Sequence, residues 1–280
     1  MSALMRSRSL PTNIPNETNV EYYKQRAHGD AGLIVTEGTL ICQQGTEWPH
    51  TPDIYTAEHV APWRKITDVV HAEGAKIFSQ LWHIGRANHP DMPEQIASGE
   101  PVWAPSTISA RGGKFGTLPE QPGYATPTEL PRFYREQRYG DMGIPLEDTL
   151  VTFKHVITEL DRMKLAYIAI LRYVAVLDPV IDGRKLRGTQ HDVITAYRPL
   201  IKNSKLIRNG GLTPSEAADL IQSGTIDAAA FGMPWISHPD MQKRFEAGKR
   251  LDEPIDFNNL YWHEGMTVEQ GYSDYASVIA

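Results

Sequence analysis

A single cysteine, Cys42, stands in this 280-residue chain. That excludes an internal disulfide framework and fits a reducing compartment, so a cytoplasmic location is expected. Long apolar runs are also missing. The richest stretch, residues 165–181, is interrupted by Arg172 and Asp178, and no segment reads as a membrane span. Positive charge is not in excess either: 28 Lys and Arg stand against 34 Asp and Glu, a formal charge of −6, which argues against general affinity for nucleic acid or an anionic membrane. The chain has no G-x-S-x-G elbow, no Walker loop and no G-x-G-x-x-G, so serine-hydrolase and nucleotide-hydrolase chemistry have no support. Its histidines, among them His71, His83 and His89, come without H-x-H, H-E-x-x-H or Cys/His pairing. No metal site is expected.

What is present is enough apolar sequence, 41%, beside 22% charged residues, to build a sizeable core. Apolar runs alternate with amphipathic stretches. Strands are predicted over 32–39 (GLIVTEGT), 76–83 (KIFSQLWH), 165–171, 205–209 and 227–232. Helices are predicted over 57–72, with Val60, Trp63, Ile66 and Val70 on one face, and over 146–163, with Leu150, Phe153, Ile157 and Leu160 on one face. Further helices are predicted over 191–201, 213–223 and 238–247. Thr213, Pro214 and Glu216 supply a capping box with proline at the first helical position. The N-terminal residues 1–16, with Arg6, Arg8 and three serines but no acid before them, faintly echo a transit peptide. The preferred reading is a strand that lacks its beginning.

Strand–helix repetition with short connections implies parallel strands and right-handed crossovers. A TIM (β/α) barrel forming one domain over 1–280 is the leading architecture, with a doubly wound sheet second. Residues 84–130, dense in proline and glycine with little periodicity, are expected to form a lid. The loops at Gly210–Gly211 and Gly232–Met233 each follow a strand and precede a helix, where backbone N–H groups and a helix N-terminus suit a phosphate; the bland alternative is two tight turns. Gln80, an amide inside a strand, suits either a ring with carbonyl and N–H edges or a neighbouring backbone.

The segments NVEYYKQRA (19–27), GLIVTEGT (32–39), TDVVHAEGAKIFSQLWHIGR (67–86), NGGLTPSEAADLIQSG (209–224), DAAAFGMPWISHPDMQKRF (227–245) and GYSDY (271–275) together resemble the Old Yellow Enzyme family. These are FMN-dependent, NAD(P)H-oxidising ene-reductases on a TIM barrel. The resemblance implies FMN as cofactor, NADPH or NADH as reductant and an enone-like small molecule as substrate. It implies that Gly38 lies against the flavin, that Gln80 bonds its pyrimidine edge, and that Gly210, Gly211, Gly232 and Met233 hold its phosphate. Trp82 would sit near the substrate and Tyr275 would close over the pocket.

Departures from the family pattern are large. Met5 stands where a flavin-facing Thr is usual, and Met233 where many members place an Arg. Residues 131–145 lead directly into the region beyond the fifth strand, as a junction replacing the fourth and fifth strands. The H-x-x-N or H-x-x-H pair, the proton-donating Tyr and a basic flavin residue normally carried there have no counterpart. The barrel is therefore expected to be incomplete, and alkene reduction weak or lost, since one oxyanion-type donor is worth roughly 2.7–4 kcal/mol in the transition state. Two alternatives accompany this reading. One is an inactive relative acting as partner or scaffold, self-associating or joined to a full-length homologue. The other is a mis-predicted gene product. Catalytic residues are left unassigned.

Overall fold

Asn16 opens the first helix. Its side chain accepts from the amides of Thr18 and Asn19, and Asn19 returns the favour to the Asn16 amide, a reciprocal cap. Helix α1 (Glu17–His28) buries Asn19, Tyr22, Tyr23, Arg26 and Ala27 along one stripe. Strand β1 (Leu33–Leu40) and helix α2 (Ala57–Ala72) follow, then β2 (Lys76–Trp82) and the short α3 (Pro93–Ser98). The buried stripe of α2 is His59, Trp63, Ile66 and Val70. Val60, expected on that face, is 60% exposed because it lies one residue, a 100° turn, off the stripe that His59 begins.

Residues 1–45, 48–85, 88, 90–103, 145–175, 178, 180–181, 184–185 and 189–279 are described by this computed structural model. Of the expected lid, 84–130, only the part up to residue 103 falls within them, and it carries α3. The junction 131–145 lies outside them apart from Pro145.

Helix α4 (Leu146–Arg162) leads to β3 (Tyr167–Leu171), a two-residue antiparallel ribbon of β4 (Val180–Ile181) and β5 (Arg184–Lys185), and α5 (Val193–Tyr197). The helix expected over 191–201 tightens at its end into a 3₁₀ turn, Arg198–Leu200. Pro199 has no N–H to continue the α-helical ladder. Strand β6 (Lys205–Asn209), helix α6 (Pro214–Gln222), strand β7 (Ala228–Ala230) and helices α7 (Pro234–Ser237) and α8 (Met241–Glu246) complete the order.

The described residues fall into two compact units, 1–103 with 232–279, and 145–231. The first contains the parallel pair β1–β2, and the second the parallel sheet β3–β6–β7. Among the described residues the strands do not close into a barrel. The N-terminal segment does not form the strand expected of it; only Met1 pairs with β1, its amine donating to the Leu33 carbonyl at 2.6 Å and its carbonyl accepting from Val35 at 3.1 Å. In the second unit Ile157, Ile168, Ile170, Val193, Tyr197, Ile201, Leu206 and Ile226 form the core, with Leu150, Phe153 and Leu160 of α4 against it, as its periodicity predicts.

Candidate functional site

A bulge in β1 organises the first unit. Val35 faces Phe78 and Gly38 faces Gln80 across the β1–β2 pair, so Thr36 and Glu37 together stand opposite one residue of β2. The Thr36 hydroxyl accepts the Gln80 amide at 3.0 Å, replacing the ladder bond that the bulge removes. Glu37 is turned inward, and its Oε2 accepts from the amides of Arg6 and Ser7 at 3.0 and 2.9 Å. Burial pushes the Glu37 carboxyl up, and the Ser7 and Arg6 amides restrain it.

Around Glu37 lies a cage that the sequence reading missed. Arg6, Arg8 and Arg26 are all fully buried. Tyr22 and Tyr272 stack with ring centroids 4.0 Å apart; Arg26 covers Tyr22 at 3.7 Å, while Arg6 and Arg8 lie 5.2 and 5.5 Å from the Tyr272 ring centroid. The guanidiniums are met chiefly by main-chain carbonyls: Leu260 and Gly271 for Arg6, Val268, Asn259 and Gln270 for Arg8, Trp235, Ile236 and Tyr272 for Arg26. Burial brings the Arg8 guanidinium down to about 10, with neighbouring Arg6 adding to the effect. The basic N-terminus is thus part of the fold's interior, and the one sequence signal for this was its lack of acids.

Gly38 follows the bulge directly. A Cβ there would come within 2.8 Å of the Met5 methyl and 2.9 Å of Trp82 Cγ, so the strand needs glycine for these side chains to cover it. Trp82 Nε1 is buried with no hydrogen-bond partner among the described residues. Gln80, half-buried two residues before it, makes no side-chain hydrogen bond to them. Gly232 is pressed by the N-terminal segment in the same way, since a Cβ would meet Ser2 Oγ at 2.7 Å. The carbonyls of Gly232 and Met233 accept from Trp235 and Ile236 at 2.9 Å each, opening α7. The Tyr275 hydroxyl accepts from the Asp256 amide at 3.1 Å and so holds a C-terminal loop.

The remaining pair, Gly210 and Gly211, belongs to the second unit. Both have left-handed backbones, φ +105° and +59°. Thr213 caps α6 by accepting from the Glu216 amide at 3.2 Å, but the expected box is half made. The Glu216 carboxylate turns instead to Arg172, at 2.7 Å, with Arg208 at 3.5 Å.

A second buried carboxyl of the first unit, Asp53, pairs with Leu40 of β1 through a parallel bridge. Burial raises it to about 7, against the Tyr55 hydroxyl, with Glu94 adding to the rise. Burial, then Asp53, likewise raises the Cys42 thiol. No group of three or more His, Cys, Asp or Glu side chains suited to a metal ion occurs among the described residues, and His89 lies outside them.

Within the first unit, a half-buried amide and a buried indole N–H without a partner among the described residues suit a flavin ring; within the second, a glycine pair ahead of a helix start suits a phosphate. The sequence model of the NADH:flavin oxidoreductase / NADH oxidase family matches residues 1–114. The chain is 36% identical over 130 residues to 12-oxophytodienoate reductase 7 of Oryza sativa subsp. japonica, covering 45% of this chain and 32% of that protein. It is 26% identical to the NADP-dependent oxidoreductase lnbE of Aspergillus flavus, covering 98% of this chain and 91% of that one. That alignment runs over 353 positions, more than this chain's length, so part of lnbE faces gaps here. The solved structure of the old yellow enzyme homologue from Zymomonas mobilis superposes with a TM-score of 0.74 at 24% identity, over 99% of this chain and 94% of that one, which supports the TIM-barrel fold. These matches make the chain similar to the Old Yellow Enzyme family, with the NADH:flavin oxidoreductase / NADH oxidase model covering its residues 1–114.

Proposed function

We propose that this chain binds FMN, accepts reducing equivalents from NADPH or NADH, and reduces activated C=C bonds of enone-like small molecules only weakly. Bound flavin supplies hydride transfer between nicotinamide and acceptor. The protein's share is binding and orientation. Gln80 offers a carbonyl and an N–H to the ring's edge, and Trp82 walls the substrate side with its indole N–H. The glycine loops receive the phosphate, and Tyr275 stands at the C-terminal border. Gly38 is the flat floor that lets Met5 and Trp82 approach. The observation carrying this reading is the bulge, which places Gly38 opposite Gln80 and beneath Trp82.

Weak turnover is proposed because the sequence holds no H-x-x-N or H-x-x-H pair to polarise a carbonyl, and because Met5 offers a thioether where a hydroxyl donor is usual in the family. Positioned acid catalysis contributes roughly 10²–10⁴-fold, so its loss leaves flavin reduction faster than alkene reduction. The test is anaerobic. FMN-loaded protein mixed with NADPH should bleach within the mixing experiment, while cyclohexenone should reoxidise it slowly. Rapid, stereoselective reoxidation by the enone contradicts the weak-activity reading.

A second reading rests on the same absent H-x-x-N or H-x-x-H pair, which leaves the chain without that means of polarising a carbonyl. An inactive subunit of a homo-oligomer or of a complex with a full-length homologue should co-purify with that partner. A folded, monomeric chain that turns over enones unaided rules this out.

A further inference from the structure

We propose that Arg172 is a positioning residue for phosphate: it orients the Gly210–Gly211 loop so that two backbone N–H groups face a phosphate monoester. The proposal rests on the FMN reading above and adds to it a residue for which the resemblance gives no role.

Arg172 follows β3, and its amide donates to the Asn209 carbonyl of β6 at 3.0 Å, which fixes its place beside the loop. Its Nε donates to the Gly210 carbonyl and its Nη2 to the Gly211 carbonyl. The same guanidinium forks onto Glu216 in the first turn of α6, Nη1 to Oε1 at 2.7 Å and Nη2 to Oε2 at 3.2 Å. One planar cation therefore ties two consecutive loop carbonyls to the helix that follows them.

In a trans peptide the C=O and N–H point in opposite directions. The peptide that gives its carbonyl from Gly210 gives its N–H from Gly211, and the next gives them from Gly211 and Leu212. Holding both carbonyls on Arg172 turns the Gly211 and Leu212 N–H groups to the far side of the loop. Neither donates to a described residue. The Gly210 N–H is taken up separately, by Asn209 Oδ1 at 2.7 Å. Successive left-handed glycines at the start of a nine-residue helix leave these two donors side by side, a concavity suited to an anion. The local charge agrees, because Glu216 is shared by Arg172 and Arg208, two cations against one carboxylate.

The test compares FMN with riboflavin, which lacks the phosphate, by flavin fluorescence quenching on the full-length protein. Arg172→Met keeps the bulk and removes the fork. FMN should bind about tenfold or more weakly, while riboflavin stays within about twofold of wild type. Arg172→Lys, which keeps the charge but not the fork, should recover part of the loss. Glu216→Gln separates positioning from simple charge, since removing a carboxylate tightens anion binding if charge alone matters and weakens FMN if the fork matters. Unchanged FMN affinity in Arg172→Met, an equal loss for riboflavin, or tighter FMN binding by Glu216→Gln overturns the proposal. Wild-type protein that takes up neither flavin refutes the FMN reading itself, and this proposal with it, an outcome distinct from the other three.

Discussion

The two units keep their folds by different means. In residues 145–231 the interior is ordinary aliphatic packing, with Leu206 and Ile226 almost fully buried in one cluster with Ile157 of α4 and Ile168 and Ile170 of β3. In the other unit three arginines sit at zero exposure with one acid, Glu37, among them, and their donors are taken by main-chain carbonyls of the C-terminal segment. Aliphatic packing tolerates many substitutions of similar volume. A buried cation does not, because each carbonyl it satisfies becomes an unpaired acceptor when it leaves. The cage also fixes the bulge that carries Gly38, so in this unit architecture and candidate site share the same residues.

The largest effect should come from breaking the cage. Arg26→Met strands the carbonyls of Trp235, Ile236 and Tyr272, and should cost about 3–5 kcal/mol of stability in urea unfolding. A cost below about 1 kcal/mol would remove the cage from the account. Leu206→Ala, its counterpart in the apolar core, should cost about 2–5 kcal/mol, with milder loss for Leu206→Met. Gly38→Ala places a methyl against Met5 and Trp82 and should cost about 1–3 kcal/mol. Combining it with Met5→Ala and Trp82→Phe should return part of that, and thermal melts of the combined variant check it.

The smallest effects are titrations, and they run in opposite senses. Asp53 in the first unit has a folded pKa of about 7, above its unfolded value. Its contribution is present at low pH and is lost as pH rises from about 4 through 7. Asp161 in the second unit is raised by burial but lowered further by the amides of Lys202, Ser204 and Asn203, to about 2. Its contribution is present above about pH 4 and is lost as pH falls through about 2. Asp53→Asn should flatten the neutral limb of a stability–pH curve and leave the acid limb, and Asp161→Asn the reverse. Identical curves for the two variants contradict the assignment.

Elements with clear periodicity were legible in the sequence. Helix α4 buries the face that Leu150, Phe153, Ile157 and Leu160 define, and β1, β2, β3 and β6 lie within a residue or two of their expected ends. Helix α1 was not read as a helix, because its buried stripe is Asn19, Tyr22, Tyr23 and Arg26, which no apolar pattern marks. The same blindness hid the cage: buried arginines look like surface until their carbonyl partners, 209 to 265 residues away along the chain, are seen. Glu216 was read as a cap because its spacing from Thr213 allows one; Arg172, which competes for that carboxylate, comes from a different strand. Gly38 and Gln80 were singled out separately, and only the register of β1 on β2 shows that they face each other.

The most direct test of the account is the absorbance spectrum of the purified chain titrated with FMN. A perturbed flavin band that remains with the protein through gel filtration and bleaches under anaerobic NADPH is the predicted result. A folded, colourless protein that leaves all added FMN free contradicts it.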